Sequence, residues 1–349
     1  MSSHPNAPLQ LDIFCRVIDN FGDAGVCWRL AQRLATDFAW QVRLLIDAPA
    51  ALSGLAPNPV AGIAVLDWAQ AETIQPAQCV IEAFACDPPA AYVRRMSQAS
   101  PAPVWLNLEY LSLEAFTISC HGLPSPQTNG LCKYFFFPGV DPASGGLLRS
   151  PPVAPRPVDP KRLSILLFCY PYAPAQALLS ALQDHPAASM VRLAAGILPN
   201  QINRDPPSAH SQIKRLAFLP QTDFDQQIAA SDLAFVRGED SITRALLAGI
   251  PFVWNIYHQD QAAHLPKLAA LLDWWCHGLD PAAADALRQL HAVWNHDQSQ
   301  PAPSLAAPLA AGLAFLPQLR SQAIKIATQL HQQPDLGQRL VDFVQKKLN

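Results

Sequence analysis

LDIFCRVI (11–18), DNFGDAG (19–25), GVCWRLAQRLATD (25–37) and QVRLLID (41–47) run consecutively and decide the fold. The first is a continuous apolar run of strand length, and the second is a turn with two glycines. The third has the spacing of an amphipathic helix, and the fourth is again a strand. A β-loop-α-β opening of this kind starts a doubly wound α/β domain. Further apolar runs follow at GIAVLDW (62–68), CVIEAFAC (79–86), VWLNLEYL (104–111) and YFFFPG (134–139). Apolar on both faces, they read as strands covered by helices on two sides.

The pattern restarts after SPPVAPRPVDP (150–160), whose five prolines exclude a helix and make a stiff linker. LSILLFCY (163–170), MVRLAAGIL (190–198), IKRLAFLP (213–220), LAFVRG (233–238) and PFVWNIY (251–257) read as strands. AQALLSALQDH (175–185), TDFDQQIAAS (222–231) and DSITRALLAG (240–249) read as helices, and the chain turns mostly helical from about 262. SQPAPSLAAP (299–308) reads as a loop. The expected organisation is a domain over 1–150, a linker over 151–160, a second α/β domain over 161–330 and a last helix within 331–349 that packs back on the first. A length of 349 residues suits two domains at roughly 150 each.

Composition removes several function classes. The 24 basic residues face 27 acidic ones, a net charge of −3, so no basic excess exists to neutralise nucleic-acid phosphates. Half the residues are apolar, which excludes a disordered chain. The start MSSHPNAPLQ has no secretory pattern, and no apolar run approaches the roughly 20 residues of a membrane span. The eight cysteines form no CxxC pair and the ten histidines no HxxxH or HExxH, so no metal is expected. The thiols read as small buried hydrophobes of a reducing compartment, and the expected location is the cytoplasm.

Ligands of open α/β sheets bind beyond the carboxyl ends of the strands. Two such loops carry chemistry. In the first, Asp19 and Asp23 flank Phe21, with Gly22 and Gly25 beside the second carboxylate. This presents a general base at a cleft, or else Asp23 caps the following helix while Asp19 steadies the turn. In the second, a strand runs into Arg237, Gly238, Glu239, Asp240 and Ser241. A helix start after a strand is an anion site, and Arg237 adds a contact suited to a diphosphate. The carboxylates of Glu239 and Asp240 suit sugar hydroxyls; ordinary capping by Asp240 or Ser241 is the alternative. Phe168, Tyr170, Phe224 and Tyr257 place rings near strand ends, where they can hold a nucleobase whose polar edge Gln221 reads; each alone is equally a core or rim aromatic.

RVIDNFGDAGVCWRLAQRLA (16–35), NLEYLS (107–112), CHGLPSPQ (120–127), KYFFFPG (133–139), GGLLR (145–149), PQTDFD (220–225) and VRGEDSITRALLAGIPFVWNIYHQD (236–260) together resemble the EarP family, bacterial rhamnosyltransferases that modify an arginine of translation elongation factor P. The resemblance covers roughly 11–345. It implies a GT-B fold with two Rossmann-like halves across a cleft, a dTDP-β-L-rhamnose donor, elongation factor P as acceptor and inversion at the sugar. It implies that Asp23 is the catalytic carboxylate and Asp19 its acidic companion. It also implies a donor site of Phe168, Tyr170, Gln221, Phe224, Arg237, Glu239, Asp240, Ser241 and Tyr257, with no metal or other cofactor. Asn107, Glu109 and His121 fall in its motifs, either shaping the acceptor side or holding the first domain together. The rival readings are another nucleotide-sugar enzyme, against which the absent GxGxxG speaks, and a non-catalytic nucleotide-sugar-binding protein.

Overall fold

The structure, a computed structural model, describes residues 8–18, 21–151, 153, 162–183, 188–195, 211–258, 262, 264–296 and 304–348. Asp19 and most of the proline-rich stretch lie outside these residues. The chain divides into two compact units, Met1–Pro151 with Gln333–Asn349, and Pro152–Gln332.

The first unit is built on seven strands, β1 (Gln10–Cys15), β2 (Gln41–Ile46), β3 (Ile63–Asp67), β4 (Cys79–Ala83), β5 (Val104–Leu108), β6 (Pro124–Pro126) and β7 (Cys132–Phe136). Their order is β3-β2-β1-β4-β5-β7-β6, parallel except for β6 against β7. The order of strands reverses at β1, which has β2 on one side and β4 on the other. The carboxyl ends of β1 and β4 therefore flank a topological switch point.

Both faces of the central strands are covered, as continuous apolar runs require. Ile13 and Cys15 of β1 pack with Cys27, Leu30, Ala31 and Leu34 of the helix Gly22–Phe38. The helix Leu336–Leu348 adds Leu336, Leu340, Val341 and Val344 to the same core. Phe14 of β1 points the other way, edge-on to Tyr92 and Trp68. The one charge inside β1, Asp12, is fully buried and held by Arg43 at 2.5 and 2.6 Å, by the Ala77 N–H at 3.1 Å and by the Tyr92 hydroxyl. These bonds satisfy it as part of the frame.

Some strands differ from the sequence reading: β10 ends at Arg215, short of the strand read over 213–220, and two others differ in kind. β3 is an edge strand, largely exposed, with Val65 open to solvent, so its apolar run is not covered on two sides. β6 carries two prolines and is a strand that the sequence reading does not include. Ser125 pairs with Lys133 in the hydrogen-bonding register, shown by the flanking Phe135 N–H to Leu123 O and Gln127 N–H to Leu131 O bonds. Pro124 and Pro126 thus fall where an N–H would point outward. Proline costs an edge strand nothing there and blunts the edge against further strands.

The second unit repeats the scheme with β8 (Arg162–Leu167), β9 (Ala188–Leu193), β10 (Ser211–Arg215), β11 (Leu233–Arg237) and β12 (Phe252–Asn255), all parallel, in the order β10-β9-β8-β11-β12. Its switch point lies between β8 and β11. The helices Ala175–Gln183, Pro281–Trp294 and Ala306–Ala314 bury Leu178, Leu182, Leu290, Trp294 and Leu309 against this sheet. Residues 306–308 are helical rather than loop; Pro308 sits in a first turn, where no intrahelical N–H is lost. Among the described residues, no helix is long and apolar enough to cross a membrane.

Candidate active site

In the first unit the helix after β1 begins at Gly22, three residues earlier than its periodicity predicts. Asp23 is therefore inside the first turn and is not the N-cap. The N-cap is Phe21, which makes no side-chain capping bond. A carboxylate in that turn complements the positive end of the helix dipole. Asp23 is only 2% exposed. Its Oδ2 accepts the Ile18 N–H at 2.8 Å, and its Oδ1 accepts the Tyr110 hydroxyl at 2.9 Å. Around it Ile18 and Phe21 are exposed.

The motif NLEYLS continues from β5 into this region. Asn107 is buried; its Oδ1 accepts the Ala85 N–H at 3.1 Å and its Nδ2 donates to Glu109 Oε1 at 2.6 Å. His121 belongs to the frame. Its Nδ1 accepts the Phe137 N–H at 3.1 Å, its ring packs on Phe136, and burial, aided by the charge of Arg339, lowers its pKa. Tyr110 is the residue that sequence reasoning passed over between Asn107 and Glu109 on one side and His121 on the other. Its bond to Asp23 spans 87 positions.

Cys15, Cys27 and Cys86 of this unit are buried. Cys27 is one turn along the helix; the hydrogen bond its S–H makes to Cys15, followed by burial, raises its pKa well above the ordinary thiol value. Burial pushes Cys86 up to about 12. All eight cysteines are free.

In the second unit the helix after β11 is Gly238–Ala248, two residues longer at its start than the sequence pattern implies. Gly238 takes a positive φ of 67°, which glycine adopts without strain. Arg237 is the N-cap residue and makes no side-chain capping bond, and neither Asp240 nor Ser241 occupies the cap. The helix ends on left-handed Gly249.

The structure brings five predicted residues together here. The Arg237 guanidinium lies 4.7 Å from the Phe168 ring centre and 4.9 Å from that of Tyr170. Phe168 meets Phe224 edge-on at 4.8 Å, and Tyr170 meets Tyr257 edge-on at 5.6 Å. Tyr170 is buried and fixed by its N–H to Asn255 Oδ1 at 2.8 Å, while Tyr257 is 51% exposed. An arginine over aromatic faces keeps its planar fork oriented and its charge available to an anion.

Gln221 begins the helix Gln221–Ala229, one turn before Phe224, and is 7% exposed. Its buried Oε1 accepts no hydrogen bond from the described residues, the state of a group that a ligand N–H completes. Ser241 is buried in the first turns of Gly238–Ala248. Glu239 and Asp240 lie on that turn but face cations of their own unit, Lys267 Nζ at 2.5 Å and Arg244 Nε at 3.4 Å. Among the described residues, no group of three or more His, Cys, Asp or Glu side chains is placed to hold a metal ion.

The family model of the elongation factor P (EF-P) rhamnosyltransferase EarP matches residues 11–159 and 153–345. A protein-arginine rhamnosyltransferase of Pseudomonas putida is 38% identical, over 97% of this chain and 99% of its own. That of Pseudomonas aeruginosa is 36% identical, over 95% and 98%, and that of a Neisseria meningitidis strain 36% identical, over 80% and 82%. A solved structure described as the basis for EarP-mediated arginine glycosylation of translation elongation factor EF-P superposes with a TM-score of 0.64 at 24% identity, covering 97% of this chain and 99% of that one. MurG of Acinetobacter baumannii, at 15% identity, gives 0.57 over 97% and 100%. The spinosyn rhamnosyltransferase SpnG, at 12% identity, gives 0.56 over 98% and 100%. At these identities the likeness is one of fold, the two-domain GT-B fold of glycosyltransferases.

Proposed function

The chain belongs to the EarP family of protein-arginine rhamnosyltransferases, and from that premise we propose that it moves L-rhamnose from dTDP-β-L-rhamnose to one arginine of elongation factor P, with inversion at the sugar. The observation that carries this reading is the chemistry of its two switch points, a pinned carboxylate in one unit and an arginine on aromatic rings in the other.

The chemical difficulty is the acceptor. A guanidinium keeps its proton at any physiological pH, and its nitrogen lone pairs are delocalised. A carboxylate against it favours the form in which one nitrogen regains a localised pair. In the proposed step that nitrogen attacks the anomeric carbon, and the bond from that carbon to the diphosphate oxygen breaks. The nitrogen's proton passes to Asp23, and dTDP leaves with the electron pair. Asp23 suits the role because both its oxygens are already oriented, so little reorganisation is left for the reaction. Asp19 is assigned the second acidic role, orienting the guanidinium or touching the sugar.

The donor falls to the second unit. Arg237 and the start of Gly238–Ala248, the positive end of its dipole, suit the diphosphate and stabilise it further as it gains charge. Phe168, Phe224, Tyr170 and Tyr257 supply faces for the base and sugar, Gln221 accepts a base N–H, and Glu239, Asp240 and Ser241 border the sugar and phosphates. The reaction so drawn requires no metal. Cytoplasmic action follows from the acceptor, a translation factor.

Intact-mass spectrometry of elongation factor P, incubated with this protein and dTDP-rhamnose, tests the reading. The expected result is one added deoxyhexose, on an arginine. An unmodified acceptor would refute it.

A further inference from the structure

Three adjacent strands of the first unit, β1, β4 and β5, end at the same place, and the residues that follow them are joined. Asp23 comes after β1, Phe84 and Ala85 after β4, Glu109 and Tyr110 after β5. The Phe84 and Tyr110 rings stack nearly parallel, 4.1 Å between centres and 9° between planes. The Tyr110 hydroxyl donates to Asp23 Oδ1 at 2.9 Å.

The turn that carries Phe84 is strained. Phe84 has φ 59° and Ala85 has φ 53°, the left-handed region that residues with a Cβ rarely enter. Such a backbone persists only where its surroundings hold it. Here the Phe84 N–H donates to Leu108 O at 2.7 Å and the Ala85 N–H to Asn107 Oδ1 at 3.1 Å. Asn107 is fixed in turn by its bond to Glu109 Oε1. A relaxed turn would carry the Phe84 ring away from Tyr110. Hydrogen-bonding need alone does not explain a flat aromatic partner at that position. The strain makes sense if the ring has a fixed neighbour to set.

We propose that Tyr110 is a positioning residue for Asp23, and that the strained Phe84–Ala85 turn, locked by Asn107, sets Tyr110. This rests on the assignment of Asp23 as proton acceptor. The Ile18 N–H holds one carboxylate oxygen, and the Tyr110 hydroxyl fixes the rotation of the other. The carboxylate plane is thereby fixed before the guanidinium arrives. Tyr110 acts through Asp23; it takes no proton in the reaction. Asn107 and Glu109 then belong to the relay that supports the base.

The experiment uses the full chain with elongation factor P and dTDP-rhamnose, reading kcat and both KM values by mass spectrometry, with melting followed by circular dichroism. Tyr110→Phe removes one oxygen and keeps the stack. It is expected to lower kcat about tenfold or more, the weight of one hydrogen bond to a charged group, with the donor KM and the melting temperature unchanged. Phe84→Leu is expected to lower kcat several-fold in the wild type and hardly at all in the Tyr110→Phe background, because it acts through the same hydroxyl. Wild-type kcat in Tyr110→Phe overturns the proposal, as does an equal loss from Phe84→Leu in both backgrounds. A wild-type chain that transfers no rhamnose overturns the functional reading instead, so the two failures are distinguishable.

Discussion

At the end of β1 the chain buries a carboxylate and holds both its oxygens; at the end of β11 it leaves a guanidinium half-exposed on two aromatic faces. The strand orders behind the two sites are the same, a first strand with its second and third on one side and its fourth and fifth on the other. In both, a helix follows the strand, Gly22–Phe38 after β1 and Gly238–Ala248 directly after β11. In the first unit the Asp23 carboxylate occupies the first turn of that helix. In the second unit the cap residue is the cation Arg237, and the first-turn carboxylates Glu239 and Asp240 face Lys267 and Arg244 of that unit. One topology thus hosts two opposite charges, and the residues that follow the strands decide which.

The sharpest way to break this contrast is to neutralise the first site. Asp23→Asn keeps the size of the side chain and removes its ability to accept a proton. Turnover should fall by about 10²–10⁴, the range that a positioned general base contributes. Steady-state rates on elongation factor P check this; a rate near wild type would remove Asp23 from the chemistry.

The next effect separates the units by acid stability. His291 is fully buried in the second unit and accepts the Trp254 N–H at Nε2, 3.0 Å away, so its neutral ring carries the proton on Nδ1, beside Leu287 O. Burial lowers its pKa from 6.5 to about 4. Between those values the unfolded chain binds the proton and the folded chain does not. Stability is therefore complete above about pH 6.5 and is lost as pH falls towards 4, by an amount on the order of 3 kcal/mol. Hydrogen exchange at pH 4.5 should show β12 amides losing protection before those of β1. The reverse order would place the acid-sensitive element in the other unit.

The smallest expected effect is none at all. If Arg237 and the helix start supply the positive charge for the leaving diphosphate, a chelator leaves the rate unchanged. Loss of activity in EDTA, restored by Mg²⁺, would add a third participant that neither switch point supplies.

Much of the architecture was legible because buried parallel strands write themselves as mostly apolar runs that tolerate a single partnered polar residue such as Asp12, Glu82 or Asn107. β1, β4, β5, β8 and β11 are such runs. The edges were not legible, because there the faces are unequally covered. β3 is apolar yet exposed, and β6 is a strand despite its prolines because they point outward. The helix starts were misplaced by two or three residues for a local reason: neither Phe21 nor Arg237 is a side-chain cap, so no Ser, Thr or Asp marks the boundary. The rings at Phe168, Tyr170, Phe224 and Tyr257 follow strand ends and a helix start, and that position alone singles them out. Tyr110 was hidden for the opposite reason. Its meaning lies in a contact 87 positions away and in a strained turn that no composition rule marks.

Calorimetric titration of dTDP into the wild type, Asp23→Asn and Arg237→Ala tests the division of labour most directly. Asp23→Asn should bind the nucleotide like the wild type, and Arg237→Ala should bind it more weakly by about 1.5–3 kcal/mol, a lost charge-assisted contact. Equal weakening in both variants, or full affinity in Arg237→Ala, would contradict it.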